Sequence, residues 1–121
     1  MPKISRYKLE KRMEELILRQ LAQIFQKITE EDGVSLLMNN LFTRTEKIML
    51  AKRIAIAILL EKEWNYTAIS NALKVSPTTI SFVKNSKLNA SPEYEKLLGK
   101  VERIYLTGIK EGDFVDRLNK K

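Results

Sequence analysis

Between Asn65 and Lys87 the sequence sets out Ser76, Thr78, Thr79, Ser81 and Asn85, with Asn65 and Thr67 upstream and Lys84 and Lys87 interleaved. Hydroxyls and carboxamides both donate and accept hydrogen bonds, and lysines add positive charge. Such a set can bond to base edges and neutralise phosphates, while the ring of Phe82 or a threonine methyl can contact the methyl of thymine. Bond-making chemistry lacks its usual agents, because the chain has no His and no Cys. That removes Ser-His and Cys-His pairs, imidazole and thiolate zinc sites, and disulfides. Glu30, Glu31 and Asp32 fall at a predicted helix start, where they offset the helix dipole. Glu61, Lys62 and Glu63 read as a solvated helix end and Trp64 as a core anchor. No catalytic residue and no metal ligand is assigned, and an enzyme is not expected.

The charge pattern favours a polyanionic partner. Lys and Arg outnumber Asp and Glu by 22 to 15, giving a net charge of +7 and a pI near 9.7. From Trp64 to Pro92 the sequence carries Lys74, Lys84 and Lys87 but no acid. A carboxylate on that stretch would repel the phosphates that dominate nucleic-acid affinity. Lys3, Arg6, Lys8, Lys11 and Arg12 face only Glu10 at the amino end, so residues 1–8 form a basic arm whose composition permits disorder.

The polar residues need two short helices to hold them. Ile69 and Leu73 lie on one face of a predicted first helix, Val75 plugs a turn, and Ile80 and Val83 lie on one face of a second. Ser70 is small where the helices meet. Ser76 can cap the second helix, with Pro77 in the first helical position, where its missing N–H has no partner to lose. The helix-turn-helix is thus placed at 66–87. With Ile80 and Val83 inward, Ser76, Thr78, Ser81, Phe82 and Asn85 are expected on the outer side, with Lys84 and Lys87 reaching phosphates. Lys74 occupies a turn position where the backbone tends to be left-handed.

The other elements are also helical. Leu9, Met13, Leu16, Ile17, Leu21, Ile24, Phe25 and Ile28 recur at helical steps and predict a long amphipathic first helix. Thr29 and Asp32 suggest a second helix from Glu30, carrying Val34, Leu37 and Leu41 inward. Thr43 and Glu46 form a Thr-x-x-Glu capping box before a third helix whose Ile54 to Leu60 segment is apolar at every position. A helix apolar all round needs cover on several sides, either from the other helices of a monomer or from a second copy of the chain; a dimer is expected. Ser91-Pro92 starts a last helix with Leu97, Leu98, Val101, Ile104 and Tyr105 on one face. Gly108 and Gly112 loosen a carboxyl tail at 109–121.

At 121 residues, 44% apolar and 31% charged, with four Gly and three Pro, the chain is expected to be a single all-α domain over 1–121. The apolar run Ile54 to Leu60 falls far short of the ~20 residues that cross a bilayer. The amino terminus lacks the apolar stretch of a signal peptide. No membrane partner and a cytoplasmic location are therefore expected.

Leu41-Phe-Thr-Arg-Thr-Glu46, Leu50-Ala-Lys-Arg53, Leu59-Leu60, Tyr66-Thr-Ala-Ile69 and Thr79-Ile-Ser81 follow in the order and spacing of Trp-repressor-like proteins. The resemblance spans about 29–98 and looks nearest to the uncharacterised bacterial branch of that family. Phe42-Thr43-Arg44-Thr45-Glu46 resembles the family's Leu-Thr-Pro-x-Glu hallmark without its proline. The resemblance implies a six-helix fold, an intertwined homodimer and two reading heads in successive major grooves, with half-sites ~34 Å apart. Tryptophan-responsive members hold the indole between two arginines. Arg53 matches one of them, Phe82 stands at the other position, and Thr43 and Thr79 match ligand-side positions. The resemblance therefore implies an effector pocket of Thr43, Arg53, Thr79 and Phe82. Losing one planar cation removes half of the clamp, so tryptophan control is not expected. Phe82 either caps an apolar pocket for another small effector or serves packing or groove contact. No cofactor is assigned.

Together these readings predict a homodimeric, sequence-specific double-stranded DNA-binding transcriptional regulator, a repressor by its resemblance. Two alternatives remain: a protein-interaction adaptor, favoured by Phe82 and the Phe114 to Leu118 tail, and an RNA-binding helical dimer.

Overall fold

Helical periodicity and capping signals become helices along most of the chain. The computed structural model describes residues 8–108, which form α1 (Lys11–Lys27), α2 (Gly33–Leu41), α3 (Arg44–Glu61), α4 (Tyr66–Leu73), α5 (Pro77–Leu88) and α6 (Pro92–Gly108). The expected six-helix, all-α fold is thus observed, with no strand among the described residues. Most of the basic arm, including Lys3 and Arg6, and the tail at 109–121, including Gly112 and Phe114 to Leu118, lie outside the described residues. The chain divides into two compact units, Met1–Ile48 and Met49–Lys121, and α3 runs across their boundary.

In the first unit, α1 presents the predicted apolar stripe, yet none of its residues is buried. Met13, Leu16, Ile17, Leu21 and Ile24 are all exposed. Phe25 stacks on Phe42 with ring centroids 6.4 Å apart. α2 starts at Gly33, not at Glu30. The Thr29–Asp32 box does not form, because the Thr29 N–H donates instead to Oε1 of the adjacent Glu30 at 3.1 Å. The aspartate is a methylene shorter than the glutamate such a box prefers. Asp32 is itself left-handed, with φ 61. Gly33 then meets Ile28 so closely that a Cβ would fall 2.5 Å from its Cγ2. Of the residues expected inward on α2, Leu37 is half-buried while Val34 and Leu41 are exposed. At the start of α3 the Thr43–Glu46 box forms as expected: Thr43 N–H donates to Glu46 Oε1 at 2.7 Å, and Glu46 N–H to Thr43 Oγ1 at 3.1 Å.

In the second unit, Ala55 to Leu59 are buried on every side of α3. Ala55, Ile56 and Leu59 join Trp64, Ile69, Leu73 and Ile80 in one core cluster. Glu63 ends α3 in a left-handed turn, φ 62. There Trp64 N–H donates to Leu59 O and Glu63 N–H to Leu60 O, each at 3.0 Å. This doubly bonded C-terminal turn drops Trp64 into the core at 4% exposure. On α6, Leu98 is buried and Tyr105 packs against the core, where loss of water raises its phenol pKa above the usual value. Leu97 and Ile104, from the same predicted stripe, are exposed. No helix among the described residues is long and apolar enough to cross a membrane.

Candidate nucleic-acid interface

The turn between α4 and α5 is built from local hydrogen bonds. Lys74 closes α4 in the left-handed conformation, φ 56, as its turn position predicts. Its N–H donates to Ser70 O at 2.8 Å. The Ser70 hydroxyl, half-buried between the helices, donates to Val75 O at 2.6 Å, and Lys52 Nζ donates to Lys74 O at 3.3 Å. Ser76 then caps α5, its Oγ accepting from Thr79 N–H at 3.3 Å with Pro77 at the first helical position.

This frame fixes which side of α5 faces out. Ile80 is 0% exposed and Val83 packs against the same core. Thr78, Phe82, Lys84 and Asn85 are exposed on the remaining surface, Phe82 to 53%. Ser76 is exposed, with its hydroxyl engaged in the cap. Thr79 is half-buried, its hydroxyl 3.2 Å from that of Ser76. Ser81, expected outward, is half-buried and directs its hydroxyl to Tyr66 Oη at 3.5 Å. With a 100° rotation per residue, Ser81 follows the buried Ile80 toward α4. At the start of α4, Asn65 spends its side-chain oxygen on Ala68 N–H at 2.8 Å, and Thr67 is exposed.

Two of the cations are already engaged within the unit. Lys84 Nζ lies 5.6 Å from the centre of the Tyr66 ring. Lys87, expected to reach out to phosphates, folds back: its Nζ is 2.7 Å from Glu61 Oε1, ionic in distance but bent away from hydrogen-bond angles. The direct contact with Glu61, and more weakly its charge and that of Glu95, raise the Lys87 pKa above the ordinary 10.5 against the opposing effect of burial. Glu61 and Tyr66 were not among the site residues expected from sequence. Their partners are set by the turn at Glu63 and the crossing of α4 with α5, which helical periodicity does not encode.

The residues matched to an effector pocket are brought together only in part. The Arg53 guanidinium carbon stands 4.6 Å from the centre of the Phe82 ring. Both line a cleft of about 310 Å3 with Ile54, Val83, Tyr94 and Leu97. Thr79 is not among the lining residues, and Thr43 is committed to the capping box of α3 in the first unit. No group of His, Cys, Asp and Glu among the described residues is arranged to hold a metal ion.

A short capped helix standing on a buried isoleucine, joined by a tight left-handed turn to a preceding helix, defines an all-α helix-turn-helix protein. The family model for Trp repressor protein matches residues 17–102, a wider stretch than the motifs at 29–98. The chain belongs to the Trp repressor family, which is a family of DNA-binding regulators and not of enzymes. No curated protein and no solved structure matches the chain.

Proposed function

We propose that this protein is a sequence-specific double-stranded DNA-binding transcription regulator that acts as a homodimer and represses the genes whose promoters it occupies. The observation that carries this reading is the orientation of α5. Ile80 is sealed inward while Thr78, Phe82, Lys84 and Asn85 look out, on a stretch free of acids from Trp64 to Pro92. A helix of 12 residues is about 18 Å long at 1.5 Å per residue, enough to lay its first turns in a major groove. Thr78 and Asn85 supply base-edge donors and acceptors, the Phe82 ring an apolar contact, and Lys84 a phosphate contact.

Two copies would read a roughly palindromic site with half-sites ~34 Å apart. The exposed stripe of α1 supports a second copy as its cover. A cytoplasmic location in a bacterial cell is part of this proposal and rests on DNA as the partner and on the resemblance to the bacterial branch of the family. Tryptophan is not assigned as effector, because Arg53 is stacked on the Phe82 ring where the family's ligand clamp has a second arginine.

Selection of bound duplexes from a random pool tests the reading. A palindromic consensus whose affinity falls steeply between low and moderate salt is the expected result. Absence of duplex retention at low salt would sink it, and capture of a protein or a structured RNA in its place would point to an adaptor or an RNA-binding role.

A further inference from the structure

Lys87 belongs to the outward cations of α5 by sequence, yet in the structure a carboxylate holds it. Glu61 ends α3 and lies before the acid-free stretch, and its Oε1 is shielded from solvent within 2.7 Å of the Lys87 ammonium. The side chains remain 28% and 30% exposed. An ion pair so placed is weak and can exchange partners, unlike one sealed in a core. Lys87 also lines a cleft of about 330 Å3 beside the start of α4, with Lys84, Tyr66 and Asn65 and with one carboxylate, that of the exposed Glu63. A phosphate approaching Lys84 there would come within reach of the Lys87 ammonium, were it released.

We propose that Glu61 is an intramolecular competitor for DNA phosphate: it retains Lys87 while the protein is free or loosely bound to arbitrary duplex, and so lowers non-specific affinity. The inference rests on the DNA-binding reading above and adds a specificity-determining residue outside the helix-turn-helix. On duplex of arbitrary sequence, Lys87 stays on Glu61 and one phosphate contact is forgone. In a well-seated complex the phosphate is fixed near the ammonium and displaces the carboxylate. The ratio of specific to non-specific binding rises because the competing carboxylate weakens the second more than the first.

The experiment is a salt titration of binding to a mixed-sequence duplex by the full chain, its Glu61→Gln and Lys87→Gln variants, and the double variant. Glu61→Gln should bind two- to fivefold tighter at low salt, and its log-log salt slope should steepen by about 0.9 per protomer, about 1.8 for the dimer, the increment for one more phosphate contact in each copy. That gain should vanish when Glu61→Gln is made on the Lys87→Gln background, because the residue to be released is gone. If the slope is unchanged, or the gain persists on the Lys87→Gln background as plain relief of charge repulsion, the competitor role is wrong while DNA binding stands. If neither the wild type nor any variant retains duplex at low salt, the DNA-binding reading fails and carries this one with it. Should Glu61→Gln lose cooperative melting, Glu61→Asp keeps the charge but draws it back by a methylene, and must show the same steepening at smaller amplitude.

Discussion

At the residue scale, the outward face of α5 is narrower than its sequence suggests. Ser81 turns toward Tyr66 and Thr79 toward the Ser76 cap, which leaves Thr78 and Asn85, together with Phe82 against Arg53 and Lys84 over the Tyr66 ring, as the exposed groups that can meet a ligand. Their roles differ in a measurable way. Lys84→Gln should weaken all duplexes alike and flatten the salt slope by about 0.9 per protomer, about 1.8 for the dimer, since it removes a phosphate contact from each copy. Thr78→Ala should instead relax preference at one base position by about 1–3 kcal/mol, which a selection experiment reads as loss of information at that position alone. Alkaline pH gives a second residue-scale test. Lys87 and Tyr105 both have folded-state pKa values raised above their ordinary 10.5 and 10.0. A raised pKa means the folded state keeps the proton longer than the unfolded one, so the associated stability is complete below the ordinary value and is lost as pH climbs through the folded one. Thermal midpoints should therefore hold steady around neutrality and fall from about pH 10 upward. In Tyr105→Phe that fall should be shallower, because one of the two linked protons is absent.

At the scale of elements, the helices were legible where capping chemistry and periodicity agreed. Thr43 with Glu46 and Ser76 with Pro77 place helix starts that the structure reproduces. Thr29 with Asp32 failed because Glu30 competes for the same N–H. That competition is decided by the length of a side chain, which a spacing rule does not weigh. Side-chain partners across elements were less legible than the elements: the Glu61–Lys87 pair and the Arg53–Phe82 stack depend on crossings that no stretch of sequence specifies by itself. The turn of the helix-turn-helix is testable in two directions. Ser76→Ala removes the acceptor for Thr79 N–H and should cost about 1 kcal/mol of stability in a denaturant melt. Lys74→Gly should raise stability by about 1 kcal/mol, because a Cβ at φ 56 is strained and glycine has none. The gain is partly offset by the greater freedom of glycine in the unfolded chain. The Lys52 Nζ contact is to the backbone oxygen of residue 74, so that substitution leaves it in place.

At the scale of the whole molecule, the apolar residues of α1 are the clearest unfinished account. Full burial of a leucine or isoleucine side chain is worth about 1.5–3 kcal/mol, and Leu16, Ile17, Leu21 and Ile24 are each 40–49% exposed, so covering what remains would yield on the order of 1 kcal/mol apiece. A stripe of that size aligned along 17 residues of helix exceeds the scattered exposure ordinary in a monomer. A second copy of the chain would bring the same stripe and satisfy both at once. The pair Ile17→Glu and Leu21→Glu separates the two cases. In a monomer these positions are about half open to water, and two carboxylates there would leave molecular mass unchanged and lower the melting temperature only modestly. In a dimer they would place four like charges in one apolar contact. Sedimentation at micromolar concentration should then show the mass halved, and the rise of melting temperature with protein concentration, expected of a dimer whose folding and association are coupled, should disappear. Duplex affinity should fall with it, since one reading head gathers only half the phosphate contacts that two supply, and the logarithmic salt slope counts those contacts. An unchanged mass alongside an unchanged slope would mean that α1 is left bare in solution and that a single α5 does the reading.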